Sequence, residues 1–178
     1  ASTPDPGLAC AAMTDESVFA DLLAANRRYA ATAPKGFDGI AHAGVAVVTC
    51  MDSRIQPLDM IGLFKGEAKI LRTPGGHVTP DALAGCILGV HLLKVERILV
   101  VQHTRCAAAS TDDTGLRDKI RQASGLDSGD FVFGADPDQQ RRLVGDVGLL
   151  RTHPLLVGRA TVGGFLYDVD TGLLEQLI

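Results

Sequence analysis

Two short clusters hold the side chains best suited to chemistry: Cys50-Met51-Asp52-Ser53-Arg54 and, 53 positions beyond Cys50, His103-Thr104-Arg105-Cys106. Two thiols and an imidazole are soft to borderline donors, the set that zinc accepts in tetrahedral geometry. Three protein ligands leave a fourth position for water, the arrangement of a catalytic zinc site rather than a closed structural one. Buried core thiols are the simpler reading of His-x-x-Cys alone, because free cysteine behaves as a small hydrophobe. Pairing with a second cysteine-bearing cluster turns the reading toward a metal. Residues i, i+2 and i+4 of an extended segment share a face, so Cys50, Asp52 and Arg54 are expected to line one cavity if strand geometry persists. Asp52 then either accepts a hydrogen bond from hydroxide on the metal, with Arg54 holding it ionised, or binds the zinc itself.

These clusters need elements to position them. Val45-Ala46-Val47-Val48-Thr49-Cys50 is a β-branched run that predicts a buried strand ending at Cys50, and Arg97-Ile98-Leu99-Val100-Val101-Gln102 predicts another ending at His103. Ala68–Arg72 is a further strand candidate, and Pro57–Phe64 a short helix. Thr73-Pro74-Gly75-Gly76 reads as a turn, and Thr79-Pro80-Asp81 opens a helix through Leu93. Thr14–Thr32 has the apolar spacing of an amphipathic helix. Helices are also expected over Leu116–Ala123 and Asp136–Leu150, then a last strand over Val162–Val169 with a short return at Leu173–Leu177. The class is therefore α/β: a mainly parallel sheet flanked by helices, with a C-terminal antiparallel edge strand. In such sheets the binding crevice lies at the carboxyl ends of the strands, where Cys50 and His103 both fall.

Composition narrows the function. With 178 residues, 46% of them apolar, a single domain over 14–178 behind a disordered leader of 1–13 is expected. A net charge of −4 with interspersed signs argues against nucleic acid, and no apolar stretch reaches membrane-spanning length. Residues 1–10 lack the basic and apolar regions of a signal peptide, so a cytoplasmic setting is expected, one in which four cysteines read as thiols or ligands. Cys10 reads as incidental, Cys86 as core, and His77 as an exposed turn residue or a proton shuttle at the pocket mouth.

The two clusters together resemble the β-class carbonic anhydrases. Gly66-Glu67-Ala68 leading to Leu71-Arg72, the Gly75-Gly76 turn, Lys94-Val95-Glu96-Arg97, and Gly163 to Leu173 with Tyr167-Asp168 and Thr171-Gly172 are similar to that family as well. The resemblance implies a Zn²⁺ lyase that interconverts carbon dioxide and bicarbonate, working as a homodimer or an assembly of dimers. It implies Cys50, His103 and Cys106 as ligands, with an Asp52–Arg54 dyad that either leaves water on the metal or releases Asp52 as a fourth ligand. Carbonyl sulfide or carbon disulfide hydrolysis on the same scaffold, and a non-catalytic zinc or bicarbonate-binding role, are the alternatives. Arg105, Ala107 and the turn in which Gly75 follows Pro74 depart from the family pattern, and the chain has no Trp around which an aromatic bicarbonate pocket could form.

Overall fold

The computed structural model describes residues 18–178. The described residues divide into two units, 18–36 and 37–178. In the first, helix α1 (Ala20–Thr32) buries none of its side chains, and Val18, Phe19, Leu22, Leu23 and Tyr29 are exposed. The expected helix start near Thr14, the leader and Cys10 lie outside the described residues.

The second unit is built on a five-stranded sheet: β1 (Val45–Cys50), β2 (Ala68–Thr73), β3 (Arg97–His103), β4 (Thr161–Tyr167) and β5 (Leu174–Gln176), in the order β2-β1-β3-β4-β5. The first four strands run parallel, and β5 pairs antiparallel with β4. All six residues of the interior strand β1 are buried, which is why its sequence shows no alternation of apolar and polar positions.

The two faces of the sheet bury different partners. Ala46, Val48, Ile98, Val100 and Val162 pack against Ala82 and Cys86 of α2 (Pro80–Leu92) and Leu143, Val147 and Leu150 of α4 (Gln139–Thr152). Each fully buried Val or Leu there contributes about 1.5–3 kcal/mol of hydrophobic stabilisation. Val45, Val47 and Val101 face the other way, toward Met60, Ile61, Leu63 and Phe165. That covering segment, expected as a helix over 57–64, is a run of turns with a single 3₁₀ turn at Asp59–Ile61; Gly62 at φ 69° ends it. Thr79 caps α2 by accepting from the Ala82 N–H, and Asp112 caps α3 (Asp113–Ser124) by accepting from the Gly115 N–H, three residues earlier than the apolar pattern alone suggests. No helix among the described residues is long and apolar enough to cross a membrane.

Candidate metal centre and active site

β1 and β3 are neighbours in register, with Thr49 opposite Val101, so both strands deliver their last residues to the same edge of the sheet. One ligand atom each from Cys50, His103 and Cys106 lies within 4.8 Å of the others, and all three residues are buried. His103 Nδ1 donates to the Thr104 carbonyl at 2.9 Å, so the lone pair is on Nε2. That Nε2 is fully buried and makes no hydrogen bond, an uncommon state for a polar atom unless a ligand completes it. Gln139 donates to the His103 carbonyl at 3.1 Å and steadies the strand end from α4.

The two thiols lie side by side and influence each other. The neighbouring Cys106 thiol, with the backbone N–H groups of Asp52 and Gly75, pulls Cys50 well below the ordinary thiol value against the opposing effect of burial. The same contact, reinforced by burial, pushes Cys106 up. The pair is thereby biased toward carrying one thiolate, the form a metal needs. Two buried thiols and an orphaned imidazole nitrogen converging on one point fit a zinc ion.

Asp52 and Arg54 face the same cavity as Cys50, but not through strand periodicity. The strand ends at Cys50, and Asp52 closes a turn instead, its carbonyl accepting from the Ile55 N–H at 3.1 Å and its Oδ1 from the Arg54 N–H at 2.9 Å. The Arg54 side chain then grips both carboxylate oxygens, Nε to Oδ1 at 2.9 Å and a terminal nitrogen to Oδ2 at 2.7 Å. This grip holds the Asp52 carboxyl far below the usual carboxylate range, with the backbone Arg54 N–H adding to it. Asp52 Oδ2 lies 3.9 Å from His103 Nε2, at the edge of the ligand cluster.

Sequence reasoning passed over the residues that hold this loop. Arg72 donates to three carbonyls in succession, those of Cys50 (3.0 Å), Asp52 (2.6 Å) and Ile55 (3.1 Å). Arg105, one of the departures from the family pattern, adopts φ 56°; its carbonyl accepts from Arg54 at 3.3 Å and its guanidinium pairs with Asp170. His77 is neither an exposed turn residue nor at the pocket mouth: it is buried, 3.5 Å from Asp146. The signal for that pair is spread over 69 positions and has no motif.

Above the cluster is a cavity of about 610 Å³, lined by Cys50, Asp52, Arg54 and Cys106 at its polar end and by Met51, Pro74, Ala107, Ala108 and Leu116 elsewhere. An apolar chamber over a polar floor suits a small uncharged substrate that must meet a polar nucleophile.

Residues 45–127, which include both clusters, match the family model described as carbonic anhydrase. The carbonic anhydrase of Streptococcus mutans has the same fold, with a TM-score of 0.80 and 30% identity over 90% of this chain and 97% of that one. Beta-carbonic anhydrase 1 of Mycobacterium tuberculosis is 27% identical over 133 residues, 75% of this chain and 81% of its own length. A carbon disulfide hydrolase of Acidithiobacillus thiooxidans is 28% identical over 153 residues, 72% of this chain and 74% of its own length. With its parallel sheet, its paired clusters and these relatives, the chain belongs to the β-carbonic anhydrase family.

Proposed function

We propose that this chain is a zinc-dependent carbonic anhydrase that interconverts carbon dioxide and bicarbonate. The observation that carries the reading is the convergence of Cys50, His103 and Cys106 beneath an apolar cavity, beside an Asp52 that Arg54 keeps ionised. Cys50, His103 and Cys106 would hold the metal, with Asp52 able to complete the set when it leaves Arg54. A zinc ion supplies Lewis acidity that makes water a nucleophile near neutral pH. The chain's own residues do the rest. Asp52, ionised and unable to donate, accepts a hydrogen bond from the attacking water and thereby turns the water's lone pair toward carbon. Arg54 fixes the carboxylate in that orientation and prevents it from taking the proton. Met51, Ala107 and Leu116 offer carbon dioxide an apolar seat, and the released proton passes to buffer.

The reading extends to residues 14–178 as one catalytic unit and to a homodimer or an assembly of dimers. Exposed Leu88, Leu92, Leu155 and Val157 are apolar surface that a second copy would cover. A reducing, cytoplasmic setting suits the free thiols Cys50, Cys86 and Cys106.

Carbon disulfide or carbonyl sulfide hydrolysis is a second reading, because the relatives that hydrolyse carbon disulfide are as similar as those that are carbonic anhydrases and the cavity lining is apolar enough for a sulfur substrate. Turnover of carbon dioxide, carbonyl sulfide and carbon disulfide by one zinc-loaded sample separates the two. Carbon dioxide hydration should exceed sulfide release from the others; the reverse order transfers the assignment to the hydrolase.

A further inference from the structure

Behind the cavity wall is a buried polar group that the proposed reaction does not use. His77 and Asp146 are 3% and 5% exposed, and His77 Nδ1 lies 3.5 Å from Asp146 Oδ2. Both ring nitrogens of His77 and Asp146 Oδ2 make no hydrogen bond. Arg142, one helical turn earlier on α4, places Nε 3.5 Å from Asp146 Oδ1 and reaches toward solvent. A buried carboxylate and imidazole carry a desolvation cost of several kcal/mol that an apolar pair of similar volume would avoid. Stability alone therefore does not account for them.

Their position does. Gly75 and Gly76 are consecutive residues with positive φ, 73° and 71°. A Cβ at Gly75 would lie 2.5 Å from His77 Nε2, so the imidazole is pressed directly against the turn from behind. A Cβ at Gly76 would lie 2.7 Å from the Val101 carbonyl and 3.1 Å from the Cys50 N, so the front of the same turn is pressed against the strand ends that carry Cys50 and His103. Gly75 itself lines the cavity. The His77 backbone is pinned as well, its carbonyl accepting from Thr73 Oγ1 at 2.8 Å and from the Thr79 N–H at 3.0 Å.

We propose that Asp146 and His77 are positioning residues: Asp146 orients the imidazole, and the imidazole wedges the Gly75–Gly76 turn against Cys50, fixing the geometry with which the site grips zinc. The inference rests on the metal reading above. It follows the general pattern in which partners one layer removed from a metal orient its ligands, with losses of about 10–100-fold in affinity when they are changed.

The test is zinc affinity, measured by competition with a chromophoric chelator, together with the thiolate-to-metal charge-transfer band of the cobalt-substituted protein. The variants are Asp146→Asn and the double variant His77→Val with Asp146→Leu. The double variant replaces both polar groups with apolar ones, so the metal-free chain is expected to melt at or above the parent temperature. Both variants should bind zinc about 10–100-fold more weakly than the parent and shift the cobalt band. A folded double variant with parent affinity and an unchanged band overturns the proposal, as does a melting change in the metal-free chain with affinity and band intact. A parent that binds no zinc overturns the metal reading, and this one with it.

Discussion

Cys50 at the end of β1, Cys106 in the loop just after β3 and Cys86 inside α2 are the same residue type at nearly the same burial, 5%, 5% and 0% exposed, yet their chemistry differs. Around Cys86 the only effect is desolvation, which pushes its thiol up to about 12 and leaves it an inert part of the core. Around Cys50 desolvation acts the same way but is outweighed by the Cys106 thiol and by the backbone N–H groups of Asp52 and Gly75. Burial alone silences a cysteine. The end of a parallel strand, where the ladder stops and a second strand delivers its own side chains, gives a buried cysteine partners.

The largest expected break in this comparison comes from the thiols themselves. Cys50→Ser or Cys106→Ser should weaken zinc binding by about a hundredfold or more, which is about 2.8 kcal/mol or more of binding free energy. Cys86→Ala should leave zinc affinity unchanged and cost about 1 kcal/mol of stability through the small cavity it opens. Chelator competition and thermal melting on the three variants read both effects. Equal losses of zinc from Cys86→Ala would erase the distinction.

Arg54→Ala sharpens the same contrast at the next residue pair. Without the two-pronged grip, Asp52 should lose its fixed orientation and hydration should fall by about 10–100-fold, an effect comparable to that of other partners that orient metal-site groups. The pH dependence has a definite sign. Arg54 depresses the folded-state value of Asp52, so the pair stabilises the fold fully above about pH 4, the ordinary aspartate value, and loses that contribution as pH falls through the depressed one. In Arg54→Ala the largest part of the depression is lost while the backbone N–H contribution stays, and the acid-unfolding midpoint of the metal-free protein should move to higher pH. An unmoved midpoint would show that the grip does not set the Asp52 ionisation.

The smallest effect is a proton count. Because Cys50 is held below and Cys106 above the ordinary thiol value, zinc uptake at pH 7 should release about one proton from the thiols rather than two. Calorimetry in buffers of different ionisation enthalpy measures this directly, and a count near two would mean that the two sulfurs are not biased apart.

Much of this was legible in the chain. β1 begins and ends where the Val45–Cys50 run does, and β3 starts at Arg97 and ends at His103 as expected, because β-branched apolar runs bounded by polar residues leave little choice of register. The convergence of both clusters follows from parallel neighbours sharing an edge. The shared face of Cys50, Asp52 and Arg54 is expected only if strand geometry persists past Cys50, whereas the chain turns at Asp52; an Asx turn is set by one carboxylate reaching a nearby amide, which periodicity does not register. Arg72 and the His77–Asp146 pair were missed for a different reason. Their meaning comes from contacts across the sheet or to α4, and a single chain without spacing rules carries no trace of such pairings.

The most direct test of the central claim is stopped-flow carbon dioxide hydration on metal-analysed protein at mildly alkaline pH, with Cys106→Ser measured alongside. The account predicts rapid hydration that scales with about one zinc per chain and is lost in the variant. Zinc bound at that ratio with no hydration, or hydration undiminished in Cys106→Ser, would contradict it.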